Sequence, residues 1–322
     1  MKLFFAALIL ASLACAHSHG HLNSTIVGCI EVECPPSTAD TANDNCTVID
    51  TSFPYVGLTS IPATQEALEG LSWTKGFHVV DSSHDNRTFQ STFFLGSPPE
   101  FKLDGTGACS VFLHGVSASL SFGDDHGKNE TAQGTCDDAM GSECVSALID
   151  QAKRFFKASE NNNSSDASRC SAMRDHLYEN MDNACSRISQ GSWTNLSSTA
   201  LTGRNSPQPI PAEKNSTSTC WPVLPKQNRL TNVASYTVLG TDFIGDAQAA
   251  LVAITPILTV FYPTKDGSVV DDIDASLTCV KVMGPSKASL DNHDEGVGVL
   301  LSPSPTMLAA MAALLVVFFM AG

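Results

Sequence analysis

Apolar residues recur at helical spacing in one stretch of the chain. Val145, Leu148, Ile149, Ala152 and Phe156 stand at offsets 0, 3, 4, 7 and 11, the spacing of one buried face of an α-helix. A second helix is expected near Ser168 to Ile188, with Met173, Leu177, Met181 and Ala184 on one face. The polar run Asn161 to Ser165 between them reads as a turn, so the two helices should form an antiparallel hairpin over about 137–188. That hairpin would bring Cys144, near the start of the first helix, beside Cys185, near the end of the second. The pair is expected to be bonded, which requires Cα atoms within about 7 Å.

Elsewhere the pattern is that of strands. Cys109 to Phe122 alternates, with Phe112, Val116, Ala118, Leu120 and Phe122 on one face and Ser117, Ser119 and Ser121 on the other, which predicts a half-buried strand. His114 falls on the apolar face, where a hydrogen-bonded core histidine is expected rather than a ligand. Phe89 to Leu95, Val233 to Leu239, Ala250 to Tyr262 and Ser276 to Val282 also read as strands, with Leu277 and Cys279 on one side. Pro256 interrupts the third of these, which predicts an edge or bulged strand. Val48 to Leu71 holds Pro54, Gly57, Pro62 and Gly70 among apolar residues and suggests short extended pieces. Trp73 and Phe77 read as core. Cys29 to Cys46 and Thr202 to Pro225 read as loops held by disulfides. The expected fold is α+β: an antiparallel β-sandwich or sheet with an inserted antiparallel helical hairpin, stabilised by disulfides.

The ends of the chain carry different signals. Met1-Lys2, the apolar run Leu3 to Leu13 and Ala14-Cys15-Ala16 have the form of a secretory signal peptide over residues 1–16. Thr306 to Gly322 is apolar, and no Lys or Arg follows it. It is short for a membrane-spanning helix and fits the tail of a GPI-attachment signal over 297–322. Gly296 is the preferred lipid site, with Asn292 and Ser286 as alternatives, and 286–296 reads as a polar stalk. The domain between the signals is 17–285. Placement on the outer face of the plasma membrane or in a cell wall follows.

Cysteine usage agrees with that compartment. Of the 11 cysteines, Cys15 leaves with the signal. Cys29, Cys34, Cys46, Cys109, Cys136, Cys144, Cys170, Cys185, Cys220 and Cys279 remain, which predicts five disulfides. No C-x-x-C occurs to suggest zinc. Asparagine sequons stand at Asn23, Asn45, Asn86, Asn129, Asn162, Asn163, Asn195 and Asn215, each an expected surface loop and glycan site. The net charge of −15 argues against a nucleic-acid partner, which needs a basic face. It equally disfavours electrostatic binding to anionic head groups. The expected partners are the membrane, through the lipid, and cell-wall glycans.

Candidate chemistry is sparse. A mature chain beginning His17-Ser18-His19 could hold Cu(II) or Ni(II) through its amine, two amide nitrogens and the His19 ring, so copper is the cofactor to test, with His17 and His19 as its ligands. At His17 alone the chain resembles the lytic polysaccharide monooxygenases. Their copper needs a second histidine, for which His78, His84, His114 and His126 remain open. Gly70-Leu71-Ser72-Trp73-Thr74 lacks the second glycine of a nucleophile elbow, and no catalytic residue is assigned. A glycosidase carboxylate pair stays open. Asp271, Asp272 and Asp274 are the densest acidic group and read as a solvated turn. Asp124-Asp125-His126 lacks calcium-loop spacing.

Four segments, Gly70-Leu-Ser-Trp-Thr-Lys-Gly76, Cys220-Trp-Pro222, Ile254-Thr-Pro-Ile-Leu-Thr-Val-Phe-Tyr-Pro263 and Leu277-Thr-Cys-Val-Lys281, give the chain a layout that resembles uncharacterised secreted, GPI-anchored, cysteine-rich proteins of filamentous ascomycetes. The resemblance implies a fungal surface and does not point to any activity. The expectation is a non-enzymatic surface glycoprotein, structural or adhesive. The alternatives are an extracellular copper-binding protein and a carbohydrate-active enzyme of the wall.

Overall fold

The computed structural model describes residues 26–29, 32, 46–82, 87–114, 120–122, 132–158, 164–189, 193–215, 220–240, 249–265 and 267–283. The fold is α+β with antiparallel sheets and, among the described residues, four disulfides. The strands are β1 (Cys46–Val48), β2 (Thr51–Phe53), β3 (Tyr55–Ser60), β4 (Ser72–Ser82), β5 (Arg87–Ser97), β6 (Thr106–Leu113), β7 (Leu196–Ala200), β8 (Arg229–Gly240), β9 (Thr255–Pro263) and β10 (Asp274–Val280). One four-stranded sheet has the order β3-β4-β5-β8, the other β10-β9-β6-β7, and β1 pairs with β2 alone.

Side-chain alternation explains how the sheets stack. Trp73, Phe93 and Leu95 of the first sheet meet Phe112, Ile257, Phe261 and Val280 of the second in one buried cluster. The Trp73 Nε1–H donates across this interface to Thr259 Oγ1 at 3.0 Å. The alternate residues of the second sheet, Cys109, Val111, Leu258, Val260, Tyr262, Leu277 and Cys279, pack against the helices. On the far side of the first sheet, Phe94 and Leu58 pack under β1, β2 and the Cys220–Leu224 segment. The molecule is therefore a sandwich covered on both outer faces, by helices on one and by a hairpin and loop on the other.

The helical layer comprises α1 (Cys136–Met140), α2 (Ser142–Ala158) and α3 (Asp166–Glu179), followed by a 3-10 turn at Asn183–Cys185. A short α4 spans Ala212–Asn215. A capping box opens α1: Thr135 and Asp138 exchange backbone and side-chain bonds, satisfying donors that a helix start leaves unpaired. Leu148, Ala152 and Phe156 of α2 are fully buried, as their spacing predicts. Asp166, at the start of α3, accepts from Tyr262 Oη at 2.9 Å and from Thr202 Oγ1 at 2.8 Å, and the Arg169 guanidinium lies 4.3 Å from the centre of the Tyr262 ring. These contacts seat α3 on β9.

Two disulfides fasten helices to the second sheet, and two join covering elements to one another. Cys109 of β6 joins Cys170 of α3, and Cys279 of β10 joins Cys136 of α1. Cys144 of α2 joins Cys185, with Cα atoms 4.8 Å apart. Cys46 of β1 joins Cys220. Of the remaining two cysteines, Cys29 is half-buried and Cys34 lies outside the described residues, as does the signal peptide, the stalk and the apolar tail.

Several boundaries differ from the sequence reading. The strand expected over Cys109 to Phe122 is β6 and runs Thr106–Leu113, buried on both faces. Val116, Ser117, Ala118 and Ser119, on which the alternation rested, lie outside the described residues, and within β6 itself Ser110 is as buried as its neighbours. The second helix ends at Glu179, not Ile188, and Ala184 is exposed. Cys185 reaches Cys144 from the turn that follows. Strand β9 begins at Thr255 rather than Ala250 and is internal, lying between β10 and β6, not at an edge. Pro256 fits because it stands at the opening of the strand, one position outside the β6 ladder that ends at Ile257 and Phe112.

One close approach fixes how the chain leaves β10. Gly57 of β3 lies against the backbone of Lys281 and Val282, where a Cβ would overlap the Lys281 carbonyl, while Met283 N donates to Val56 O at 3.0 Å. Backbone atoms yield less than side chains. Gly57→Ala should destabilise the fold by about 3 kcal/mol, read from the shift in urea midpoint. An unchanged midpoint would mean that the two segments do not touch.

Candidate functional site

A cleft of about 500 Å³ opens where one end of β4, β5 and β8 meets the residues leading into β9. Its lining is mostly apolar: Phe77, Phe89, Leu120, Val238, Ala250 and Ile254. The polar groups are few, namely Lys75, Ser91, His114, Tyr236 and Thr255.

Strand alternation puts Lys75 there. Trp73, Lys75 and Phe77 share the inner face of β4, and Lys75 is 1% exposed. Its Nζ donates to Ala253 O at 2.7 Å and to Thr255 Oγ1 at 3.2 Å. Both acceptors are neutral, and among the described residues no carboxylate pairs with it. Burial, and secondarily the charge of Lys281, pulls its pKa down to about 7. The amine is thus poised between ammonium and free base at neutral pH.

His114 follows the last residue of β6 and stands at the cleft wall. Its ring stacks on Tyr236 with centroids 3.9 Å apart and on Phe112 at 5.9 Å. Its Nε2 shares a 2.9 Å hydrogen bond with Ser197 Oγ. Burial first, then the Lys75 charge, lowers its pKa to about 3, so it remains a neutral, hydrogen-bonded ring. Tyr236 accepts from Asn195 Nδ2 at 2.7 Å, and burial raises its phenol pKa.

The other residues singled out in the sequence do not converge on this cleft. Asp274 is buried rather than solvated and accepts from Thr64 N and Oγ1 at 3.1 and 2.6 Å. Asp271 and Asp272 stay exposed. A second cleft of about 550 Å³ is lined by two carboxylates, Glu69 and Glu100, both exposed, together with Pro98, Pro99 and Pro225. Asn195 is exposed at the start of β7, and Asn215 is half-buried at the end of α4. His17, His19, His84, His126, the six other sequons, Gly296, Asn292 and Ser286 lie outside the described residues. His78 shows its ring edge-on to Phe53 at 5.2 Å, and among the described residues no three His, Cys, Asp or Glu side chains gather as a metal site.

Lys75 and Tyr236 were not picked out from the sequence. The signal for Lys75 was present: a lysine between Trp73 and Phe77 on the core-facing positions of a strand. Tyr236 gave none, since it stands on a strand whose side chains alternate between buried and exposed. Set against protein-family models, curated proteins and solved structures, the chain matches none.

Proposed function

We propose that the protein is a GPI-anchored, non-enzymatic glycoprotein of the cell surface or wall, with a structural or adhesive role. The observation that carries this reading is the cross-linking: among the described residues four disulfides, two tying helices to the second sheet and two tying covering elements to one another, a design that persists in oxidising compartments and not in the cytosol. Exposure of the Asn195 sequon supports it, because a glycan needs a surface asparagine. The resemblance to fungal surface proteins points the same way, as does the apolar tail with small residues ahead of it.

The test is release from intact cells. The full chain expressed in a yeast host should appear in the medium after treatment with phosphatidylinositol-specific phospholipase C. Its mass should lack residues 297–322, and the Asn195 peptide should shift on enzymatic deglycosylation. Retention on the cells with Phe318 and Phe319 still present would overturn the anchor.

A further inference from the structure

We propose that the Lys75 cleft binds a fatty carboxylate, with the ligand's head group on the Lys75 amine and its chain along Phe77, Phe89, Val238 and Ile254. The proposal concerns the cleft alone and stands whether or not the chain carries a lipid anchor.

Three observations select this occupant. The first is charge. Lys75 is buried, and two of its three N–H groups point at neutral oxygens. A buried ammonium without an anion is costly, and no carboxylate among the described residues supplies one. Lys281 adds positive potential at the same place. A monoanion entering the cleft would complete the third hydrogen bond and offset the charge in a single contact.

The second is the wall. A volume of about 500 Å³ lies within the range of small-molecule sites, and the lining beyond Lys75 is aromatic and aliphatic. A small hydrophilic anion would pair with the amine and leave that surface wet. An uncharged hydrocarbon would cover the surface and leave the amine unanswered. His114 does not compete for the head group, since its ring nitrogen is engaged by Ser197 and the ring is neutral.

The third is the mouth. Val238 and Leu239, which line the cleft, are 40% and 77% exposed. Val238 stands in register with Phe89, and Phe89 with Val79, itself 43% exposed. An apolar strip thus leads from the surface to the floor. Contiguous exposed apolar surface is uncommon on soluble domains and marks sites of contact with apolar partners.

The experiment is calorimetric titration of the intact secreted protein at pH 6 with dodecanoate and, separately, with dodecanol. Dodecanoate should bind one to one, and at least ~10-fold more tightly than dodecanol, as expected for a hydrogen bond to a charged group. In Lys75→Met that preference should vanish while dodecanol binding stays unchanged. The wild-type protein supplies an arm that needs no variant. Lys281, His114 and Tyr236 are the other titratable groups facing the amine; His114 stays neutral, and the Tyr236 phenol is pushed up. The preference for dodecanoate should therefore decline from pH 6 to pH 9 as Lys75 loses its proton. Equal binding of acid and alcohol, a preference that survives Lys75→Met, a preference insensitive to pH, or no binding of dodecanoate would each overturn the proposal.

Discussion

Replacing Cys46 and Cys220 together by alanine is expected to lower the unfolding free energy by about 4–5 kcal/mol. The two cysteines are 174 residues apart, so their bond removes more freedom from the unfolded chain than a short link would. The folded side loses as well. Among the described residues the hairpin of β1 and β2 pairs with no other strand, and a lone two-stranded hairpin is marginal in water. Without the bond the hairpin loses its covalent tie to the Cys220–Leu224 segment and is held by packing alone, including that of Val48 and Phe53 in the cluster with Phe94. The loss is a large fraction of a typical domain's stability of about 5–15 kcal/mol. Removing Cys144 and Cys185, 41 residues apart, should cost about 1 kcal/mol less on loop length alone. Urea unfolding of both variants and the parent measures this. A Cys46/Cys220 variant within about 1 kcal/mol of the parent would show that this loop closure contributes little.

Stability should also rise with pH, through Lys75. Its amine has a pKa of about 7 in the folded protein against an ordinary 10.5. Below about pH 7 both folded and unfolded chains hold the proton, and this group gives no slope. Between about 7 and 10.5 the unfolded chain keeps a proton that the folded chain has released. Raising the pH there favours folding by ~1.4 kcal/mol per unit. Summed to pH 10, the gain is about 4 kcal/mol relative to pH 6.5. Lys75→Met removes this contribution. The measurement is the difference in unfolding free energy between the two proteins at several pH values, which cancels the effects of other groups. Parallel curves would mean that the amine is solvated in the folded state.

The helical part of this fold was legible because a helix covering a sheet buries one face only. Leu148, Ala152 and Phe156 announce α2 by their spacing, and the hairpin they imply brings Cys144 to Cys185. The strands were harder to bound. In β6 and β9 both faces are covered, one by the opposite sheet and one by helices, so the polar half of the alternation is missing. Small hydroxyl residues such as Ser110 and Thr259 then stand inside the core by donating or accepting one bond each. Read locally, they suggest solvent. Asp274 misleads in the same way: its neighbours Asp271 and Asp272 are exposed, and only the distant Thr64 explains why it is not. The cleft draws on residues 75 through 255 and has no local signature. Lys75 is its one element that strand alternation could have exposed.

The span of the cross-links has a consequence for proteolysis. The Cys46–Cys220 and Cys136–Cys279 loops overlap, so every peptide bond between Cys46 and Cys279 lies inside at least one of them. A single cut anywhere in that interval leaves two pieces still covalently joined. On a gel without reductant the nicked molecule would migrate as one species, and only thiol would separate the fragments.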